Sequence, residues 1–114
     1  MAKDRINKIN EEVLRELSQV IRELKDVRIP MLTSVVAVNV TNDLSYATAY
    51  ISVYGDEQTQ KKAIEGLKSA SGFIRREIGH RLQLRHTPEF IFRLDHSIEH
   101  GSKINTIINN INNQ

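Results

Sequence analysis

Apolar residues recur every three or four positions in the first part of the chain, which is the spacing of one face of an α-helix. They are Ile6, Ile9, Val13, Leu17, Val20, Ile21 and Leu24. Asp4 is a residue type that caps a helix start, and Pro30 cannot continue a helix. The pattern therefore predicts an amphipathic helix that begins near Asp4 and ends before Pro30.

Two segments rich in Val, Thr, Tyr and Ile follow, Met31–Val40 and Tyr46–Tyr54, and these residue types favour β-strands. The residues between them, Thr41 to Ser45, include Asn and Asp, which accept turn geometry, so an antiparallel hairpin is predicted. In the second strand, alternation puts small and apolar residues on one face, namely Ala47, Ala49, Ile51 and Val53. We expect that face to meet the core.

Helical spacing returns after Gly55, with Asp56 or Thr59 available as the N-cap. The apolar positions are Ala63, Ile64, Leu67 and Ala70, and then Ile74, Ile78 and Leu82. Small residues at 69–72 interrupt the pattern, and Gly and Ser weaken a helix interior. The sequence predicts either two helices or one helix that bends sharply there.

Pro88 precedes a last alternating segment, in which Phe90, Phe92 and Leu94 predict a third strand. Isoleucines beyond it indicate a short C-terminal helix within residues 97–114, which we expect to be partly disordered from about Asn109 onward because Asn is a weak helix former. The predicted fold is α+β, a single domain over residues 1–114 with the order α-β-β-α-α-β. Its helices must cover one face of a three-stranded sheet to bury their apolar stripes.

Composition narrows the class of protein. The 114 residues include no cysteine, which excludes disulfides, thiolate zinc sites and cysteine nucleophiles and fits a reducing compartment. Residues 1–10 lack the apolar stretch of a signal peptide, and no apolar run reaches membrane-spanning length. We therefore expect a cytoplasmic protein that does not enter a membrane.

No motif for catalysis or cofactor binding stands out. The glycines have no phosphate-loop or dinucleotide spacing, and His96 and His100 share a helical spacing without a third ligand, which favours two surface histidines over a metal site. We predict no catalytic residue, no metal and no cofactor. A triad scattered along the chain leaves no local signature, so a small hydrolase is kept as an alternative; turnover that is lost on mutation of one histidine would support it.

Basic residues concentrate in the second half, where residues 58–114 carry nine Lys and Arg against five Asp and Glu. The candidate RNA-binding residues are Lys61, Lys62, Lys68, Arg75, Arg76, Arg81, Arg85 and Arg93. Four of these arginines follow one another along the third helix and its loop, so one positive ridge is expected. The alternatives are a solvated face that binds nothing, or surface salt bridges such as Arg76 or Arg81 with Glu77.

Two tyrosines of the second strand, Tyr50 and Tyr54, share its more polar face with Tyr46, Thr48 and Ser52. Tyrosines in such positions could stack on RNA bases, or they could serve only in packing, which is the commoner use.

The element order is that of the type II KH fold, and the chain from Arg5 to Ile111 resembles the ribosome-binding factor A family. Four stretches carry the resemblance. They are Leu24 to Arg28, the hairpin Val38 to Gly55, the segment Ala70 to Gly79, and Leu84 to Phe90. The family has an Ala-x-Gly kink where ordinary KH domains have Gly-x-x-Gly, and Ala70-Ser71-Gly72 matches it. Val27 stands where the family usually has proline, which bears only on the turn after the first helix.

The resemblance implies a monomeric, cytoplasmic, non-enzymatic assembly factor. Such a protein binds the free 30S subunit and 16S rRNA at the neck between head and body, aids late subunit maturation and 16S 5′-end processing, and supports growth in the cold. Ribosome-assembly GTPases are possible further partners. The alternative is a KH-like module that binds another structured RNA or a protein. At the kink, we expect Gly72→Leu to cost stability or function, because a close helix approach would leave no room for a side chain.

Overall fold

A computed structural model describes residues 2–30 and 32–95, and side chains from Arg5 onward. Helix α1 spans Ala2–Glu23, and strands β1 and β2 span Thr33–Val40 and Tyr46–Val53. Helices α2 and α3 span Glu57–Ser69 and Ser71–Leu82, and strand β3 spans Glu89–Leu94. The predicted order α-β-β-α-α-β is confirmed.

The first helix buries the predicted stripe: Val13, Leu17 and Val20 are fully buried, and Ile9 and Ile21 nearly so. It begins at Ala2, so the prediction that Asp4 caps its start is wrong. The helix ends at Glu23, well before Pro30. In the loop that follows, the backbone N–H and the guanidinium of Arg28 both donate hydrogen bonds to the Asp26 carboxylate. These bonds, with the charge of Arg28, lower the pKa of Asp26 to about 2.

The three strands form one sheet in the order β1-β2-β3. Strands β1 and β2 pair antiparallel as predicted, with a bulge at Val36, and β2 and β3 pair parallel. The second strand ends at Val53 instead of Tyr54, and the first begins at Thr33, two residues after the predicted start. Met31 lies outside the described residues.

The helices cover one face of the sheet. Ala47, Ala49 and Ile51 are fully buried on that face of β2, and the stacked rings of Phe90 and Phe92 lie on the same face of β3. Small alanines let the helices approach the sheet closely, and each large buried aliphatic side chain contributes about 1.5–3 kcal/mol to the transfer free energy. The described residues share one hydrophobic core.

Helices α2 and α3 are separate and meet at Ala70, so the first of the two predicted alternatives is correct. Asp56 is the N-cap of α2, where its carboxylate accepts a hydrogen bond from the backbone N–H of Thr59. Helix α3 ends at Leu82, and Gln83 adopts a left-handed conformation with φ 48° that turns the chain toward β3.

The predicted single domain over residues 1–114 and the predicted helix or partly disordered segment at 97–114 stay predictions, because residues 96–114 lie outside the described part. The pair His96 and His100 lies there too.

Candidate nucleic-acid interface

The exposed charged residues of α3 lie on a different stripe of the helix from its buried residues. Ile74 and Ile78 are fully buried, whereas Arg75 and Arg76 are exposed beside them. The exposed stripe and one residue of the following loop line a shallow depression of about 540 Å³, which we call the α3 groove. Its residues are Gly72, Arg75, Arg76, Gly79, His80 and Thr87.

The loop from α3 to β3 forms one wall of the α3 groove because it is bound to the helix. Nε and Nη2 of Arg75 donate hydrogen bonds to the carbonyl oxygen of Thr87, at 3.2 and 3.1 Å. A Cβ atom on Gly79 would lie 2.8 Å from Oγ1 of Thr87, so a larger residue at position 79 would force the Thr87 side chain to shift. The next residue, Pro88, is fully buried and holds the loop against the core. Arg75 is thus positioned by the loop and keeps its charge at the groove.

The kink Ala70-Ser71-Gly72 lies at the other end of the α3 groove. The N–H of Ala70 donates to the carbonyls of Gly66 and Leu67, which closes α2, and its own carbonyl accepts the hydrogen bond of Ile74 N–H within α3. Nη1 of Arg28 donates to Oγ of Ser69 at 3.4 Å, which ties the loop after α1 to the kink.

The expectation of a close helix approach at Gly72 is wrong. A Cβ atom on Gly72 would meet no atom within 4 Å among the described residues, and the residue is exposed. The tight glycine of α2 is instead Gly66, whose Cβ would lie 3.0 Å from Ile29. Glycine at position 72 therefore leaves open space in the groove, into which an approaching backbone can fit.

The predicted single ridge of arginines is wrong at Arg81. Its Nη2 lies 2.9 Å from Oε2 of Glu23, and its Nη1 lies 3.5 Å from Oε2 of Glu16. Desolvation by itself lowers the pKa of Arg81, but the hydrogen bonds to Glu23 and Glu16 and the charges of Glu23 and Glu77 outweigh it, so the pKa is raised. Arg81 therefore joins α3 to α1. The salt-bridge alternative applies here, with partners on another helix instead of Glu77.

The other basic residues lie on separate surfaces. Lys61, Lys62 and Lys68 are exposed along α2. Arg85 is exposed in the loop after α3, on the side away from the groove lining. Arg93 lies on the sheet face that the helices leave open, where its register partner on β2 is Tyr50. Of the eight predicted residues, only Arg75 and Arg76 line the α3 groove.

Three groove residues, Gly79, His80 and Thr87, were not predicted as site residues from the sequence. His80 lies four residues, about one helical turn, after Arg76 and so shares its face of α3. Helical spacing from Gly72 and Arg76 could therefore have found it. Thr87 carries no local signal, because only the packing of the loop on α3 brings it there. The predicted stacking tyrosines differ in exposure: Tyr50 is half-buried and Tyr54 is exposed just after β2, and their stacking on bases stays a prediction.

Over residues 2–30 and 32–95, no helix is both long and apolar enough to cross a membrane. The same residues contain no cluster of three or more His, Cys, Asp or Glu side chains that could hold a metal ion.

Comparison with known proteins gives one consistent family. The family model described as ribosome-binding factor A matches residues 5–108. Ribosome-binding factor A of Clostridium tetani is 54% identical over 112 residues, which cover 97% of this chain and 93% of the relative. The protein of the same name from Acetivibrio thermocellus is 56% identical over 107 residues, with 93% and 87% coverage.

Solved structures show the same fold. A Thermotoga maritima protein studied by NMR as a candidate ribosome-binding factor A has a TM-score of 0.72 and 29% identity, covering 78% of this chain and 85% of that one. The crystal structure of ribosome-binding factor A from Thermus thermophilus has a TM-score of 0.71 and 24% identity, with 78% and 94% coverage. A Thermus thermophilus homology model, fitted into a cryo-EM map of a complex of that protein with the 30S subunit, has a TM-score of 0.65 and 24% identity, covering 76% and 91%.

Proposed function

Because this chain belongs to the ribosome-binding factor A family, we propose that it binds the free small ribosomal subunit and uses the α3 groove to hold 16S rRNA. In finer detail, we propose that it occupies the neck between head and body and promotes late maturation and 16S 5′-end processing. We also propose that it supports growth in the cold. It acts by binding, as a cytoplasmic monomer without catalysis, and ribosome-assembly GTPases would act with it on the subunit.

The observation that carries this proposal is the chemistry of the α3 groove. Two guanidinium groups flank a surface on which Gly72 leaves open space, so a sugar-phosphate backbone can approach the helix closely there. Arginine forks match phosphate oxygens, and such contacts position a protein on RNA without reading its sequence. Gly72 belongs to the kink that the family has in place of the Gly-x-x-Gly loop, which supports the same surface as the RNA contact.

The first test compares two arginines of one helix. Arg76 forms no ion pair within the described part of the chain and lines the groove, whereas Arg81 is paired with Glu16 and Glu23. We expect Arg76→Gln to weaken binding to purified 30S subunits roughly fivefold at about 0.15 M salt, since one phosphate contact is lost. Arg81→Gln, the matched control, should leave the affinity unchanged, provided that circular dichroism shows both variants folded. Equal affinities for the two variants would remove the α3 groove from the interface.

A stronger perturbation reverses two charges. The double variant Arg75→Glu/Arg76→Glu should reduce the slope of log affinity against log salt concentration by about two and weaken binding by roughly 20-fold or more. The control is Arg15→Glu/Arg22→Glu, because both residues are exposed on α1 and the change in net charge is the same. A similar loss in both double variants would mean that only net charge matters.

The ribosome itself is tested by competition and in cells. We expect free 30S subunits to compete for the protein far better than an unrelated structured RNA of equal length, and 70S ribosomes to compete poorly. Equal competition would favour a general KH-like RNA-binding module.

A deletion strain should accumulate 16S precursor and grow poorly in the cold. The wild-type chain should restore normal 16S processing and growth in the cold, whereas the Arg75→Glu/Arg76→Glu variant should restore neither.

A further inference from the structure

A second concave surface lies on the opposite side of the loop that forms the wall of the α3 groove. It is a cleft of about 440 Å³ between the start of α1, the β1–β2 turn and the α3–β3 loop, and we call it the end cleft. Its residues are Arg5, Ile6, Ile9, Asn42, Asp43, Leu44, Arg85 and His86. The volume is within the range of pockets that hold small organic ligands.

The floor of the end cleft is apolar. Ile9 and Leu44 are nearly buried, and Ile6 is partly buried and packs against the same core. Leu44 adopts a left-handed backbone conformation with φ 62°, which is unusual for a residue with a branched side chain. This conformation turns the leucine side chain inward from the tip of the hairpin. Strain of this kind persists only where the surrounding structure fixes it.

Hydrogen bonds hold the turn that carries Leu44. Its backbone N–H donates to the carbonyl of Thr41 at 2.9 Å, and Oδ1 of Asp43 accepts hydrogen bonds from Oγ1 of Thr41 and the N–H of Ser45. The bond from Ser45 N–H and that from the Thr41 hydroxyl lower the pKa of Asp43, so its carboxylate is ionised at neutral pH. The floor and this polar edge are therefore preformed.

The rim of the end cleft is mainly basic. Arg5, Arg85 and His86 are exposed, and none of them forms an ion pair with any other described residue. Asn42 and Asp43 are the polar residues that the β1–β2 turn contributes to the lining. A ligand that fits needs an apolar body, an anionic group for the arginines, and hydrogen-bond donors for the carboxylate.

We propose that the end cleft binds one unstacked nucleotide of a single-stranded RNA, with the base on the floor formed by Ile6, Ile9 and Leu44 and its phosphate on Arg5 and Arg85. Unstacked bases in loops and at ends are the usual targets of specific RNA recognition, and a carboxylate accepts hydrogen bonds from an exocyclic amino group. Adenine, cytosine or guanine should therefore be preferred to uracil, which lacks that group. The proposal rests on the proposed RNA-binding function and adds a base-reading contact to it.

Methyl NMR of the full chain tests this directly. The isoleucine and leucine methyl groups are labelled, and the protein is titrated with AMP, CMP, GMP, UMP and ribose 5-phosphate. We expect saturable shifts at Ile6, Ile9 and Leu44 with the amino-bearing nucleotides, severalfold weaker binding of UMP, and no shift of these methyl groups with ribose 5-phosphate. Shifts of equal size with ribose 5-phosphate, or no shift of these methyl groups with any nucleotide, would overturn the proposal.

A matched pair of variants locates the phosphate contact. Arg5→Gln should weaken nucleotide binding roughly fivefold, as expected for one lost phosphate contact, whereas Arg15→Gln on the outer surface of the same helix should not change it. Equal affinities would overturn the role of Arg5. This outcome is independent of the α3 groove. If no nucleotide binds but Arg76→Gln still weakens subunit binding, only the end-cleft proposal fails. If nucleotides bind but Arg76→Gln leaves subunit binding unchanged, only the proposed function of the α3 groove fails.

Discussion

The α3 groove and the end cleft lie on two sides of the same loop, and they offer a nucleic acid different surfaces. The groove is shallow, Gly72 leaves space in it, and its charge comes from Arg75 and Arg76 on one helix. The end cleft has an apolar floor, and three separate elements build it. A shallow basic surface suits a phosphate backbone, which is alike in every sequence, whereas an apolar cleft with an ionised carboxylate suits one base. The α3 groove is therefore suited to position the protein on RNA, and the end cleft is suited to recognise one base.

The largest effect on stability is expected at the floor of the end cleft. Leu44→Ala removes a side chain that is nearly buried in the core, and we expect the free energy of unfolding to fall by about 2 kcal/mol, measured by urea denaturation. Leu44→Gly is the control, because glycine accepts a φ of 62° without strain, so the glycine variant should be at least as stable as the alanine variant. A loss below about 0.5 kcal/mol in Leu44→Ala would show that the floor is not packed.

The shared loop is tested at Gly79. An alanine there places Cβ 2.8 Å from Oγ1 of Thr87, so we expect Gly79→Ala to lower the free energy of unfolding by about 1 kcal/mol despite the better helix propensity of alanine. In a Thr87→Ala background the clash is absent, and the same substitution should become stabilising. Additive effects in this double-mutant cycle would contradict the close contact.

The open end of the α3 groove should respond in the opposite direction. Gly72→Ala meets no neighbouring described atom and should raise the free energy of unfolding by about 0.5 kcal/mol through helix propensity. Gly72→Leu should fold normally yet bind 30S subunits more weakly, because its side chain fills the groove. A destabilised Gly72→Leu would restore the close helix approach that the sequence predicted, and unchanged binding would remove Gly72 from the interface.

The smallest effect is expected at the Asp26–Arg28 pair in the loop after α1. The pKa of Asp26 is about 2 in the folded chain, below its ordinary value of 3.8, because Arg28 donates hydrogen bonds to it. Because folding lowers this carboxylate pKa, the ionised group stabilises the fold at any pH above its pKa in the unfolded chain. This stabilisation is lost as pH falls from about 4 toward 2. The difference in free energy of unfolding between wild type and Asp26→Asn should be full at neutral pH and shrink over that interval. A difference that does not change with pH would contradict the ion pair.

Much of the architecture could be predicted from local patterns. The period of the apolar residues located the helices and strand β3, because burial on one side of an element imposes that period on the sequence. The content of Val, Thr, Tyr and Ile located strands β1 and β2. The errors at element ends were small, such as a helix that begins before Asp4 and strands that begin at Thr33 and end at Val53. End residues depend on caps and neighbouring packing, which a local pattern records weakly.

The candidate sites could be predicted only in part. The positive charge of the second half and the placement of Arg75 and Arg76 off the buried stripe follow from composition and helical period. The engagement of Arg81 with α1 does not, because Glu16 and Glu23 are distant in sequence. The end cleft was not predicted at all, since its eight residues come from three separate segments of the chain.

For this chain, the sequence by itself determined the elements, their buried faces, the kink at Ala70 to Gly72 and the excess of basic residues, because each depends on the spacing of nearby residues. Only the tertiary structure decided which arginines stay free, which glycine is tight and which is open, and how one loop separates the α3 groove from the end cleft. Those features depend on contacts between segments far apart in sequence. Both surfaces proposed to bind RNA exist because packing brings Thr87 and Arg85 to opposite sides of that loop.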